Sequence, residues 1–193
     1  MSFLDNIIQL DKELLIYLNS LGSETFDGFW MLVTNQFNWI PLFLLMFFLI
    51  FRAYGWKKGL LLVLIAALLV TFSDQFVNLI KDYFARLRPN NDPSINSIIR
   101  ILKTPRSFSF VSGHSTTSFA ATIFIIATLK NHYKYSVLFL IWPILFAYSR
   151  VYLGVHFPMD IFVGMLLGFL EGYLFYKIGM IFLKKIPENR KTI

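Results

Sequence analysis

The sequence contains no cysteine. Disulfides, thiolate zinc sites and thiol nucleophiles are excluded together, although nothing follows about redox compartment. Charge is also scarce. Asp, Glu, Lys and Arg make up 15 % of 193 residues, against about 25 % in an average soluble domain. Hydrophobic residues (56 %, of which many are aromatic) take up the difference, and mean hydropathy is +0.61. Such a chain is built for lipid rather than water. There is no internal repeat and no low-complexity tract. The opening "MSFLDNIIQLDKELL" lacks a basic n-region and carries acids where an apolar core belongs, so no cleavable leader is expected. The length suits one membrane-embedded domain, residues 1–193, with a core over about 60–180 and no separate soluble module.

What is present is a series of apolar runs. A spanning helix takes about 20 apolar residues, fewer inside a bundle. Gly59–Ile80, Ser115–Leu129, Tyr135–Tyr148 and Ile161–Leu183 qualify. A fifth run, Phe26–Phe51, should break at "NWIP", because Pro41 disfavours helix just before it. The expectation is a short helix over about 24–35 and a longer one over about 38–52. Residues 3–19 set Leu4, Ile7, Ile8, Leu14, Leu15 and Leu18 against Asp5, Asp11, Lys12 and Glu13. That pattern predicts an amphipathic helix lying in the membrane interface. The fold class is therefore an all-α polytopic bundle of about five spans plus this interfacial helix.

A net charge of +7 invites a nucleic-acid reading. The cations, however, stand at the ends of apolar runs, where they anchor helices and set orientation, so no nucleic-acid partner is expected. With five spans, ten Lys/Arg fall on one side: Arg52, Lys57, Lys58, Lys130, Lys134, Lys177, Lys184, Lys185, Arg190 and Lys191. The other side receives eight, nearly all in residues 81–114 and 150–158. The first side should be cytoplasmic.

Three stretches then meet on the opposite face. "KDYFARLRP" places Lys81 and Arg88 seven residues apart, on one side of a helix if it runs on to Pro89. "SGHS" puts Ser112, Gly113 and His114 just before a span. "SRVYLGVHFPMD" carries Arg150, His156 and Asp160. Cationic forks and a Gly-flanked helix N-terminus suit a phosphate's oxygens. Two histidines can divide nucleophilic and acid roles. Pro158 suits a first helical turn, which puts Asp160 near a helix start. A carboxylate on one ring nitrogen of a histidine fixes its tautomer.

The pattern Lys-x6-Arg-Pro, Ser-Gly-His, Ser-Arg-x5-His-x3-Asp resembles the type 2 phosphatidic acid phosphatase (PAP2) family, in its membrane lipid phosphatase branch. That family shares its fold with vanadium haloperoxidases. The second block usually opens with proline, and here Val111 stands in its place. The resemblance implies that His156 is the nucleophile forming a phosphohistidine and that Asp160 orients its ring. It implies that His114 protonates the leaving group, and that Lys81, Arg88, Arg150, Ser112 and the Gly113 amide hold the phosphate. No cofactor and no metal are implied; Asp82, Asp92 and Asp160 form no evident ligand set. The implied substrate is a membrane lipid phosphate or diphosphate: undecaprenyl diphosphate, phosphatidic acid, phosphatidylglycerol phosphate or lipid A. "FDGFWMLVTNQFNWIP" and "KDYFARLRPNNDP" look similar to short bacterial members, some acting on lipid A, which implies an inner membrane; the Lys/Arg bias predicts the site on its extracytoplasmic face. Two alternatives stay open: a phosphotransferase with a sugar or lipid acceptor, and a non-catalytic lipid-phosphate binder.

Other polar residues are less specific. Asp74, Asn78 and Lys81 share a stripe expected to face the bundle interior, where Asp74 or Asn78 steers Lys81 or simply bonds a neighbouring helix. Glu171 reads as structural. Gly164, Gly168 and Gly172 allow close helix approach. The long connection 90–110 reads as a partly helical lid, or as a basic segment on anionic headgroups. Oligomeric state is left open.

Overall fold

A computed structural model describes residues 3–187, all of them in helices, turns or extended connections. Arg190 and Lys191 of the charge tally lie outside the described residues. Six α-helices follow in order: α1 Phe3–Ser20, α2 Glu24–Val33, α3 Ile40–Phe84, α4 Gly113–Leu129, α5 Ile141–Tyr152 and α6 Pro158–Leu183. Short 3-10 turns at Gln36–Trp39 and Ser136–Leu140 lead into α3 and α5.

The break predicted at "NWIP" is there. Asn35 accepts the Phe37 N–H at 3.1 Å, and Pro41 sits in the first turn of α3, where its missing N–H costs nothing. The expected separate spans on either side of residue 55 form one element of 45 residues. Straight, it would reach about 68 Å, twice a bilayer's apolar thickness. Gly55 folds it instead, at φ 70° and ψ 176°, in the left-handed half of backbone space that only glycine enters freely. The two limbs return against each other: Met46 and Ile50 from the first share a buried cluster with Leu62, Ile65 and Leu69 from the second.

α4 runs through the middle of the bundle and is rich in Ser, Thr and Ala. Small residues let helices approach without a hydrophobic driving force from water. At Gly168 and Gly172 of α6, an added Cβ would stand 2.4 Å from the Thr116 and Ala120 carbonyl oxygens. The glycine repeat is therefore used in full against α4.

Gln36–Asn91 and Pro158–Leu183 are each long and apolar enough to cross a membrane, and Ser136–Tyr152 forms a shorter apolar stretch. Leu64, Leu68 and Leu79 on α3, with Leu170 and Leu174 on α6, point outward. Both helices thus have the length and the apolar outer surface that a membrane span requires.

α1 departs from the expectation in one respect. Its buried face is Asp11, Leu15 and Asn19, while Leu4, Ile8, Leu10 and Leu14 are exposed. Asp11 does not face water. The helix presents apolar side chains outward and turns two polar ones into the protein, because each finds bonding partners there.

Candidate functional site

The C-terminal end of α3, the N-termini of α4 and α6, and the C-terminal end of α5 come together at one end of the bundle. Lys81, Gly113, His114, Arg150, His156 and Asp160 therefore gather from segments far apart in sequence. Local clamps fix the assembly. The Ser112 N–H donates to the Asp160 carbonyl at 3.1 Å, and the Ser115 hydroxyl donates to the Ile161 carbonyl at 2.8 Å.

The route to Arg88 differs from the sequence expectation. α3 stops at Phe84 because Ala85 turns left-handed, φ 45°, so Lys81 and Arg88 do not share a helix face. Arg88 lies on an extended segment (φ −75°, ψ 157°), with its side chain buried at 4 % exposure. Its Nε donates to the Ser107 carbonyl at 2.7 Å, and Nη2 donates to the Ser107 hydroxyl at 3.0 Å. Nη1 donates to the Val155 carbonyl and to His156 Nε2, each at 2.9 Å. Guanidinium always donates, so Nε2 is the acceptor and the ring proton sits on Nδ1.

His156 is fully buried. Its Nδ1 faces Asp160 Oδ2 at 3.3 Å and the Ser109 hydroxyl at 3.4 Å. Burial above all, then the charges of Arg88, Arg150, Lys81 and Arg86, holds the His156 pKa well below the ordinary imidazole value. The resting ring is neutral, with its Nε2 lone pair aimed at a guanidinium that would also bind an anion.

Asp160 is held on both oxygens. Oδ2 accepts from the Phe157 N–H at 2.9 Å and from the Ser109 hydroxyl. Oδ1 accepts from Arg86 Nη1 at 2.7 Å. Arg150 is buried, with Nη1 donating to the Thr34 hydroxyl at the end of α2, while its Nε has no partner among the described residues. His114 stacks on Phe146, ring centroids 5.1 Å apart, in the field of Arg150, His156, Lys81 and Arg88. A Cβ placed on Gly113 would lie 3.6 Å from Lys81 Nζ. The first helical amides of α4 thus open beside an ammonium, an arrangement that favours an anion.

Ser112 is committed differently. It is fully buried and caps α4 by accepting the Ser115 N–H at 3.4 Å. Its backbone carbonyl takes Thr116. Asp74 and Asn78 are exposed rather than interior, with Asn78 donating weakly to Asp74 at 3.5 Å. Glu171 is buried within α6, far from the cluster's polar contacts. Among the described residues no group of three or more His, Asp or Glu is arranged to hold a metal ion. The connection after α3 is pinned rather than free: Ile95 is buried with Leu15, Val151 and Phe157, Lys12 pairs with Asp92 at 2.8 Å, and Arg100 pairs with Asp27 at 2.8 Å.

Sequence reasoning missed Arg86, Asp11, Ser107, Ser109 and Thr34. Arg86 was legible as the third cation of "KDYFARLRP". The others carried no signal, since nothing in their spacing ties them to the motifs.

Comparison with known proteins identifies a family and a fold. Residues 56–182 match the pattern of the PAP2 superfamily. The chain is similar to a lipid A 4'-phosphatase of Bacteroides thetaiotaomicron, 32 % identical over 88 % of this chain and 77 % of that protein. It is similar to an undecaprenyl-diphosphatase of Sulfolobus acidocaldarius, 29 % identical over 96 % of this chain and 86 % of the relative. Its fold resembles the crystal structure of a transmembrane PAP2-type phosphatidylglycerolphosphate phosphatase from Bacillus subtilis, with TM-score 0.70 and 23 % identity over 96 % of this chain and 90 % of the other.

Proposed function

Because the chain belongs to the PAP2 superfamily, and is a membrane lipid phosphatase of that type, we propose that it works through a phosphohistidine on His156. The observation that carries this is the buried imidazole itself: Nδ1 turned to Asp160 at 3.3 Å and Nε2 to Arg88 at 2.9 Å.

In the first step Nε2 bonds to phosphorus while the phosphorus–oxygen bond to the lipid breaks. The departing oxygen takes a proton from His114, and the Nδ1 proton stays shared with Asp160. Arg88, Lys81, Arg150 and the Gly113 amide hold the equatorial oxygens, whose charge spreads in the transition state. In the second step water adds to phosphorus, the nitrogen–phosphorus bond breaks, and His114 takes the water's proton. The buried Ser112 contributes by capping α4 and so aiming its amides.

The substrate we propose is a phosphorylated saccharolipid of the lipid A type. Two things favour it. The Bacteroides relative carries that activity in its name. Below Lys81, α3 exposes Asp74, Gln75 and Asn78, side chains that are costly against bare lipid but suited to sugar hydroxyls and amides. The Sulfolobus relative supports a polyprenyl diphosphate as the second reading. The membrane is crossed five times by this proposal, counting the two limbs of α3, α4, α5 with its 3-10 lead, and α6. The site then opens on the extracytoplasmic face of the inner membrane, supported by the Lys/Arg bias.

Phosphate release by the purified protein, with EDTA present, should be measured on lipid A, undecaprenyl diphosphate, phosphatidic acid and phosphatidylglycerol phosphate. Lipid A should turn over fastest, and His156→Ala should release none. Turnover by His156→Ala would defeat the nucleophile assignment. Faster release from undecaprenyl diphosphate would hand the case to the second reading.

A further inference from the structure

Arg86 stands at an unspecified position inside the first block, and Asp11 lies outside the residues that match the family pattern. Both nevertheless reach Asp160. Left-handed Ala85 turns the chain so that Arg86 points inward, with its guanidinium 3.9 Å over the Phe157 ring. Its two terminal nitrogens serve two carboxylates: Nη1 donates to Asp160 Oδ1 and Nη2 to Asp11 Oδ2, both at 2.7 Å. The Arg86 carbonyl accepts the Ser109 N–H at 2.8 Å, and Ser109 in turn bonds Asp160. Asp11 makes a second attachment, accepting the Met159 N–H at 2.9 Å. It therefore grips the first turn of α6 directly and through Arg86.

The charges explain why both acids are needed. Asp160 paired with Arg86 alone is a neutral ion pair, and a neutral pair stabilises an imidazolium or phosphohistidine poorly. Asp11 returns the group to a net negative charge and keeps the guanidinium from swinging onto Asp160 with both forks. Burial pushes the Asp11 carboxyl up, with Arg86 and the Met159 N–H pulling against it.

Granting His156 as nucleophile, we infer that Asp11 and Arg86 are positioning residues of the His156–Asp160 pair, so that α1 is part of the active site rather than a membrane anchor alone. No residue of α1 touches the reacting atoms; it acts through the chain Asp11–Arg86–Asp160–His156.

The test is steady-state kinetics of the full chain in detergent, with a lipid phosphate the wild type hydrolyses. Asp11→Asn and Arg86→Gln should lower kcat about 10- to 100-fold with KM within about threefold, and Arg86→Lys should recover part of the loss. The acid limb of kcat/KM reports His156. That ring faces Asp160 on α6, Lys81 on α3, Arg86 and Arg88 after it, His114 on α4 and Arg150 on α5. Removing Asp11 takes away a negative charge and should move the limb to lower pH. Removing Arg86 takes away a positive charge and should move it to higher pH. Leu15→Ala, one turn further along the buried face of α1, loses packing without charge and should leave the limb in place. Opposite shifts, with Leu15→Ala unmoved, support the inference. Wild-type kcat in Asp11→Asn and Arg86→Gln overturns it, as does a loss shared with Leu15→Ala and no shift of the limb. If His156→Ala is still active, the underlying reading fails; if it is dead while these variants are normal, only this inference does.

Discussion

Gly168→Ala puts one methyl group where α6 crosses α4. The new Cβ would stand 2.4 Å from the Thr116 carbonyl oxygen, 2.9 Å from Phe119 Cβ and 3.0 Å from the Ala120 nitrogen. Carbon and carbonyl oxygen in contact sit at about 3.3 Å or more, so the helices must part by about 1 Å. Two of the three obstacles are backbone atoms, which cannot rotate away. Overpacking of this kind costs about 1–3 kcal/mol, and alanine's helix preference returns about 1 kcal/mol. Stability should therefore fall by up to about 2 kcal/mol. Activity should fall further. α4 carries His114, and the first turn of α6 carries Asp160 beside His156. Those elements are registered by the bonds from Ser112 to Asp160 and from Ser115 to Ile161. A displacement of about 1 Å can cost about 100-fold in rate. The assay is kcat for phosphate release together with a thermal unfolding midpoint in detergent. Gly28→Ala is the control, since a Cβ there meets nothing within 4 Å; it should leave kcat unchanged and raise stability slightly. A Gly168→Ala enzyme with normal kcat and a lowered midpoint would refute the claim that this crossing sets the spacing of the two imidazoles.

Three further expectations concern pH, backbone and metal. His156 is neutral in the folded protein because burial and nearby cations lower its pKa, whereas an unfolded histidine titrates near about 6.5. The native state binds fewer protons, so this group's stability contribution is complete above that pH and lost below it. Thermal midpoints taken from pH 7 down to 5 should fall, and His156→Gln should flatten the fall; an equal slope in the variant would contradict the assignment. Ala85→Gly relieves a left-handed alanine at φ 45°, a conformation costing about 1 kcal/mol. The variant should be no less stable than wild type by thermal unfolding, and a lowered midpoint would count against a strained turn. EDTA should leave phosphate release unchanged, since among the described residues no acid cluster stands ready for a cation; loss of activity restored by Mg²⁺ would reverse that view.

Much of this protein could be read before any coordinates. Apolar run lengths and the placement of Pro41 and Pro158 depend only on local backbone rules, so the helices appear close to where periodicity places them. The three motif blocks were legible because their spacing lies within single segments. The long connection, read as a lid or as a segment resting on headgroups, is anchored at points no spacing reveals: Ile95 and Arg100 find partners on α1, α2 and α5. Asp74 and Asn78 sit on the predicted stripe, but what each position meets depends on how α3 packs: those two are exposed, while Lys81 at the end of the stripe is half-buried beside Gly113.

By itself, then, the sequence determined the class of solvent, the sites of chain reversal and the chemical inventory of the site, all consequences of composition and short-range geometry. Tertiary structure decided which of those groups touch. Left-handed Ala85 ended α3 early and sent Arg86 and Arg88 to different partners, and Asp11 met Arg86 across 75 positions of chain. Such contacts are set by the packing of whole helices, and no spacing rule along the chain encodes them.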